Sequence, residues 1–222
     1  MNTHAINPLD GRYYDKTRAL APYFSEFALM KYRTLVECEF FISLSQVKGI
    51  GLRKLSSGEI NKIRALYQDF SEVSYKKIKN YESTTNHDVK SVEYFIKDSL
   101  KNTSLKNAFE WVHFGLTSED TNNCAYALML ASGTKHVVLP ELSSIQKTLK
   151  SYAKSYARVP MLARTHGQSA SPTTLGKEFA VFSDRLRRQI FFLNKFKPFS
   201  VVASSKPSLR AGIAVAGLTN HR

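Results

Sequence analysis

Cysteine, acidic residues and long apolar runs are scarce in this chain of 222 residues. The two cysteines, Cys38 and Cys124, are too few for a disulfide framework. That excludes the disulfide-stapled class and favours a reducing, cytoplasmic compartment. No apolar run approaches the roughly 20 residues that a membrane helix needs, so we expect no membrane partner. The first residues also lack a charged segment followed by an apolar one, which argues against a signal peptide.

The shortage of acids leaves the chain strongly basic. It has 18 Asp and Glu against 32 Lys and Arg, and its formal net charge is +14. Such a surface attracts anions, from nucleic acid to phosphorylated metabolites. The sequence has no zinc-finger spacing, glycine-aromatic RNA signature or basic heptads, so we expect no nucleic-acid partner. A solvated basic surface stays open as the simpler explanation.

Runs of alternating β-branched residues are also missing, and apolar residues recur instead at helical spacing. The sequence therefore predicts an all-α fold. Each expected helix has a start signal, either a capping residue or a proline. These signals are Ser25, Ser56 with Glu59, Asp88, Ser118, Pro140, and Ser171 with Pro172.

Three regions are expected along the chain. Residues 1–110 should form an amino-terminal helical domain, and residues 111–194 should begin a central helical bundle. Residues 195–222 form a basic tail that contains no acid. The bundle helices, expected near 118–134, 140–158 and 172–194, should each expose a partly apolar stripe.

Polar connectors carry the candidate chemistry. They are Asp10-Gly-Arg-Tyr-Tyr-Asp15, Thr84-Thr-Asn-His-Asp88, Thr117-Ser-Glu-Asp-Thr-Asn-Asn123 and Arg164-Thr-His-Gly-Gln168. The last three precede or open a helix, and a helix start binds anions through its free N–H groups and dipole. Sites also concentrate in loops that rigid elements hold in place.

The residue types in these connectors suit an anionic ligand. Arg12 can grip a phosphate or carboxylate at two points, and Tyr13 adds a hydroxyl and a stacking face. His87 can donate to an anion or move a proton near neutral pH. Thr117 and Ser118 offer hydroxyls at a helix start. A plain turn or a simple helix cap remains the alternative in each case.

His166 carries the sharpest local signal. It lies between a hydrogen-bonding threonine and Gly167, which permits close ligand approach, and Gln168 follows. A turn with an incidental histidine is the alternative. His113 lies in an aromatic segment and is expected to be structural. No His, Cys or carboxylate spacing resembles a zinc or iron site, so no metal is expected.

Taken together and in this order, the four connectors resemble the adenylosuccinate lyases of the fumarase/aspartase superfamily, most closely the bacterial-type branch. The segments that carry the resemblance are Asn7–Tyr13, Thr84–Phe95, Phe114–Asn123 and Arg164–Glu178, within residues 5–194. Argininosuccinate lyase, aspartase and fumarase fit less well. The Asp-Gly-Arg-Tyr and Thr-Thr-Asn-His-Asp stretches look specific to the purine branch.

The resemblance implies a C–N lyase that needs no cofactor and works as a homotetramer. The family removes fumarate from adenylosuccinate, giving AMP, and from the succinylated carboxamide ribotide of purine biosynthesis. His166 matches the general acid and His87 a second catalytic-site histidine on the phosphate side. The other matches are substrate-binding: Arg12 and Tyr13 to the nucleotide phosphate, Asn86 and Asp88 beside His87, Thr117 and Ser118 to a fumarate-side carboxylate, and Gln168 in the pocket wall.

The resemblance stops near residue 194. The family continues into a glycine-rich segment and later a Ser-Ser-x-Met-Pro-x-Lys-x-Asn-Pro loop with the serine base, and that loop does not occur in this sequence. We therefore expect a shifted reading frame or an alternative terminus near residue 196. An inactive fragment that retains partial nucleotide binding stays open, as does, more remotely, a basic nucleic-acid-binding helical protein.

Reading the downstream DNA in all three frames tests the frameshift. We expect the family's missing segments to continue in another frame. Relatives that share this same tail in an unbroken frame would contradict the idea.

Overall fold

A computed structural model describes residues 5–195, so nearly all of the expected basic tail lies outside the described residues. The described part is mostly helical, and the helical class is confirmed. Its α-helices are α1 (Tyr14–Thr17), α2 (Ala21–Phe24), α3 (Glu26–Leu44), α4 (Ser57–Gln68), α5 (Glu72–Thr85), α6 (Asp88–Leu100), α7 (Ser118–Gly133), α8 (Leu139–Ser155) and α9 (Leu175–Lys195). Short 3-10 turns occur at Arg18–Leu20 and Phe109–Trp111, and a π turn, Thr134–Val138, joins α7 to α8.

One hairpin departs from the all-α prediction. Strands β1 (Pro160–Thr165) and β2 (Gln168–Thr174) pair antiparallel, with a bulge between the Leu162 and Arg164 pairs. Their two-residue turn is His166-Gly167, with φ values of 51° and 75°. Positive φ at both positions is what a tight type I′ hairpin requires. The strands escaped prediction because they contain few β-branched residues and the turn lacks the usual Asn-Gly signal.

The hairpin also moves the start of the last helix. Ser171 and Pro172 were expected to open it near residue 172, but both lie in β2. Helix α9 begins at Leu175 instead, and the Thr174 hydroxyl accepts the Lys177 N–H at 3.2 Å. A threonine three residues further on therefore does the capping.

The helix starts predicted at Ser25 and at Ser56 with Glu59 are confirmed, whereas the cap predicted at Asp88 is wrong by one residue. Ser25 caps α3, and Ser56 with Glu59 forms a reciprocal capping box on α4. The predicted cap of α6 was Asp88. In the structure the cap is His87, whose Nδ1 accepts the Lys90 N–H at 3.2 Å, and Asp88 is the first helical residue.

The chain divides into two compact units, the first reaching Ala131 and the second beginning at Ser132. The domain boundary predicted near residue 110 remains a proposal beside this division. In the first unit, α3 is buried on almost every side and contacts α4, α5 and α6. The largest buried side chains of its core include Phe40, Phe41, Met30, Ile63, Ile78, Ile96, Leu100 and Leu105.

The second unit has little core of its own. Helices α8 and α9 pack against each other, and Gln146 donates to the Ser183 hydroxyl across them at 3.1 Å. Among its described residues, only Gly133, Gly176 and Ser183 are buried. The exposed apolar stripe expected on the bundle helices is confirmed, and its largest members on α8 and α9 are Ile145, Tyr152, Val181, Phe182, Phe191 and Phe192.

Gly176 allows a close contact between α9 and the end of α8. A Cβ there would lie 2.5 Å from the Ala153 carbonyl oxygen and 2.6 Å from the Ala157 backbone, which cannot move aside like a flexible side chain. We expect Gly176→Ala to lower the free energy of unfolding by about 1–3 kcal/mol, as overpacking does. Chemical denaturation followed by circular dichroism measures the change.

Gly58→Ala is the matched control. It lies within α4, and a Cβ there would meet nothing within 4 Å. Alanine should therefore stabilise this position by up to about 1 kcal/mol through its helix propensity. Equal destabilisation by the two variants would contradict the close-contact explanation.

Candidate active site

Two charged side chains lie in the middle of the most buried helix. Arg33 and Glu37 are one turn apart on α3, and 2% and 1% of their surfaces are exposed. A buried charge is tolerated only when it is paired and hydrogen-bonded. The partners of Arg33 and Glu37 therefore show which other segments of the chain are held against α3.

Arg33 contacts two of the predicted connectors at once. Its Nη2 lies 2.6 Å from Asp88 Oδ2, at the start of α6. Its Nε donates to Asn122 Oδ1 at 2.9 Å, in the first turns of α7. One guanidinium thus ties the Thr84–Asp88 and Thr117–Asn123 connectors to α3 and to each other.

Glu37 makes the second attachment of α7. Its Oε1 accepts the Thr121 hydroxyl at 2.6 Å and lies 2.7 Å from His113 Nδ1. Its Oε2 is buried and has no hydrogen-bond partner in the structure. The carboxylate is therefore held on one side only.

His113 has the structural role that the sequence suggested. Its backbone φ is 64°, in the left-handed region, and its ring faces Glu37. Burial opposes protonation of the ring. The hydrogen bond and the charge of Glu37, with help from Glu93, outweigh that burial and raise the His113 pKa. The contact with Glu37 thus favours the imidazolium form of His113.

His87 presents its ring at the turn between α5 and α6. Asn86 ends α5 in the left-handed conformation at φ 50°, which asparagine adopts more readily than most residues. The next residue, His87, then caps α6 through Nδ1, and its side chain is 51% exposed. Because Nδ1 accepts a hydrogen bond, the proton of the neutral ring must be on Nε2. His87 therefore offers an N–H donor to a ligand.

Thr117 and Ser118 lie at the start of α7, but Ser118 is not the cap that the sequence predicted. Helix α7 begins at Ser118, and Thr117 precedes it. The Asp120 carboxylate accepts both the Thr117 N–H, at 2.8 Å, and the Thr117 hydroxyl, at 3.1 Å. An incoming carboxylate would thus find the Thr117 donors already engaged, which leaves the Ser118 hydroxyl and later N–H groups.

Arg12 and Tyr13 lie in a compact exposed turn. The Asn7 carbonyl accepts the N–H groups of Asp10 and Gly11 at 3.0 and 3.1 Å. The guanidinium carbon of Arg12 is 5.3 Å from the centre of the Tyr13 ring, a cation–π distance. Both side chains are exposed and accessible to an anion.

His166 and Gln168 belong to the second unit. His166 is the first residue of the hairpin turn and Gln168 the first of β2, and both are exposed. The structure thus joins the Thr84–Asp88 and Thr117–Asn123 connectors through Arg33. It shows Arg12 and Tyr13 on their own turn, and His166 and Gln168 on the hairpin.

Sequence reasoning missed Arg33, Glu37 and Asn122. A signal was present for Arg33 and Glu37, because opposite charges four residues apart lie in the middle of a helix that is rich in apolar residues. The direction of each charge, toward a connector far along the chain, is not encoded in that spacing.

Two kinds of feature are absent from residues 5–195. No group of three or more His, Cys, Asp or Glu side chains in this part is arranged to hold a metal ion. No helix in this range has the length and apolar character that crossing a bilayer demands.

A family model described as lyase matches residues 11–205. The chain belongs to this lyase family. Its relatives include the adenylosuccinate lyase of Dictyostelium discoideum, 45% identical over 89% of this chain and 43% of that protein. The adenylosuccinate lyase of Legionella pneumophila (strain Corby) is 46% identical over 83% of this chain and 41% of that protein. The adenylosuccinate lyase of Escherichia coli K12 is 39% identical over 95% of this chain and 46% of that protein. The resemblance drawn from the four connectors is confirmed.

Solved structures share the fold of this lyase chain. The 3-carboxy-cis,cis-muconate lactonizing enzyme from Pseudomonas putida has a TM-score of 0.69 over 91% of this chain and 46% of its own, at 20% identity. Fumarate lyase from Mesorhizobium sp. BNC1 has a TM-score of 0.67 over 92% and 45%, at 20% identity. The chain spans less than half the length of all these relatives.

The His113–Glu37 pair gives a pH prediction. A histidine with a raised pKa adds stability that is fully present below its unfolded value, about 6.5, and is lost as pH rises through its folded value. We expect the wild-type chain to lose more unfolding free energy between about pH 6 and pH 9 than His113→Asn, in urea titrations. Asparagine suits the left-handed backbone of this position. Identical pH slopes in the two proteins would contradict the pairing.

Proposed function

We propose that this chain forms part of an adenylosuccinate lyase, a C–N lyase of purine biosynthesis that releases fumarate from adenylosuccinate to give AMP, and from the succinylated carboxamide ribotide. The observation that carries the proposal is 39–46% identity to three adenylosuccinate lyases over 83–95% of this chain. The four connectors lie within the family match or at its edge.

The reaction is an anti β-elimination, and its needs fit the residues present. A base removes a proton next to a carboxylate, N–H donors and cations stabilise the resulting negative charge, and an acid protonates the departing nitrogen. His166 is proposed as that acid. Its exposed place on a tight turn supports the proposal, because the ring can reach a ligand without displacing packed side chains.

The phosphate side of the substrate is assigned to the first unit. The Nε2–H of His87 at the start of α6 suits a phosphate oxygen, with Asn86 and Asp88 on either side. Arg12 adds a guanidinium for two-point contact, and Tyr13 adds a stacking face.

The fumarate side of the substrate is assigned to the start of α7. Ser118 and Thr117 are proposed to face a substrate carboxylate, with the Ser118 hydroxyl as the available side-chain donor, because Asp120 engages both donors of Thr117. Gln168, two residues after His166, is proposed to lie in the pocket wall.

Assembly into a homotetramer is part of the same proposal. The exposed aromatic side chains of α8 and α9, such as Phe182 at 56% and Phe192 at 63%, support it. Such a surface is better covered by further helices than left in water.

The second candidate is a catalytically inactive chain that still binds the nucleotide. The residues proposed to bind the nucleotide are present in this chain, whereas the family's serine loop does not occur among its 222 residues. The two candidates agree on the binding residues and differ on whether the chain takes part in the elimination.

A chimera tests the catalytic assignment. Residues 1–195 would replace the matching part of the Legionella pneumophila enzyme, which then supplies the serine loop. We expect fumarate release, and we expect His166→Gln in the chimera to lower kcat by about 10²–10⁴-fold, the usual contribution of a general acid.

Arg12→Ala in the chimera should mainly raise KM, because a phosphate is held similarly in the ground and transition states. A folded chimera with no activity, or one insensitive to His166→Gln, would refute the assignment.

The 222-residue chain alone tests whether one of its own residues can act as the base. We expect no fumarate release from it, with AMP binding that Arg12→Ala weakens, in absorbance assays and calorimetry respectively. Release above that of a His166→Gln control would show that a residue present in this chain can act as the base.

A further inference from the structure

We propose that Arg33 is a positioning residue that makes His87, rather than Asp88, the cap of α6, and so fixes which ring nitrogen of His87 faces the ligand. That His87 faces a ligand rests on the proposed function. The orientation of the His87 ring follows from the described contacts alone.

Arg33 engages the residue that would otherwise cap the helix. Aspartate is a preferred cap and histidine is not among the preferred residues. Yet Asp88 Oδ2 lies 2.6 Å from Arg33 Nη2, and Asp88 Oδ1 accepts the N–H of the adjacent Val89 at 2.9 Å. Both carboxylate oxygens are therefore engaged. His87 takes the capping role, and its Nδ1 accepts the Lys90 N–H at 3.2 Å.

The ionisation of Asp88 agrees with this division of roles, in which Asp88 pairs with Arg33 and His87 caps α6. Burial opposes ionisation of its carboxyl group, but the charge and hydrogen bond of Arg33 outweigh burial and lower the Asp88 pKa. The carboxylate is thus kept as an anion facing Arg33.

The guanidinium also fixes the direction of this contact. The Arg33 side chain is 3% exposed, and its Nε is held by Asn122 at 2.9 Å. Because the guanidinium is a rigid plane, anchoring Nε to α7 sets where Nη2 meets Asp88. A lysine would keep the charge but could not hold two acceptors at a fixed angle. The two connectors are consequently aligned by one side chain.

Histidine NMR on the full chain tests the proposal without any ligand. In the wild type, long-range proton–nitrogen spectra should show His87 as the Nε2–H form with Nδ1 accepting a hydrogen bond. In Arg33→Met, Asp88 is released to cap α6, and the His87 signals should move toward those of an unconstrained imidazole. The double variant Arg33→Met with Asp88→Ala removes the competing cap and should restore the wild-type ring signals.

The control is Arg64→Met. Arg64 forms a two-point ion pair with Glu39, at 2.8 and 3.1 Å, between α4 and α3. The Arg64→Met variant should lower the free energy of unfolding without moving the His87 signals. This control therefore separates a positioning role of Arg33 from a general loss of packing. If circular dichroism shows that Arg33→Met does not fold, Arg33→Lys is read in the same way.

AMP binding provides the second readout. We expect Arg33→Met to weaken it by roughly ten-fold, the order of one lost hydrogen bond to a charged group, and Arg64→Met to leave it unchanged. Wild-type chain that fails to bind AMP would count against the proposed function, while the ring signals would still decide the role of Arg33. The proposal is overturned if His87 keeps its ring signals in Arg33→Met, if Arg64→Met shifts them equally, or if Asp88→Ala does not restore them.

Discussion

The arrangement of the first unit depends on a simple constraint: a charge that is removed from water must find its partners inside the protein. Arg33 and Glu37 enter the core on α3, and their partners, Asp88, Asn122 and Thr121, come from the starts of α6 and α7. The apolar core alone would let these helices slide or rotate by small amounts. Directional hydrogen bonds to the buried Arg33 guanidinium and Glu37 carboxylate remove that freedom. Polar connectors far apart in sequence therefore acquire defined positions.

The two units are stabilised differently. The first surrounds α3 with large buried side chains, whereas the described residues of the second bury little more than two glycines and a serine. Residues assigned to phosphate binding lie on the unit with the core, and the proposed general acid lies on the unit without one. The second unit should therefore depend more on contacts beyond its own residues, and the precision of the acid's position depends on them too.

Local signals predicted the helices and their start residues well, because caps and apolar periodicity act within one or two turns. Ser25 and the Ser56–Glu59 box are such cases. The failures have two causes: Asp88 contacts the distant Arg33 and does not cap α6, and Ser171 and Pro172 lie in a hairpin whose turn contains a histidine. For the candidate site, family resemblance supplied the residues that we propose to face the ligand, but not Arg33 or Glu37, which contact the connectors carrying some of them.

The backbone of the hairpin turn limits which amino acids evolution could use there. At φ 51°, position 166 disfavours β-branched and bulky side chains and accepts glycine, asparagine, aspartate or histidine. Of these, only histidine exchanges a proton near neutral pH without a strongly altered environment. A tight turn at this place therefore offers few substitutes for His166 in its proposed role as general acid, and a lineage that keeps the hairpin while losing His166 would be expected to lose that proposed step as well.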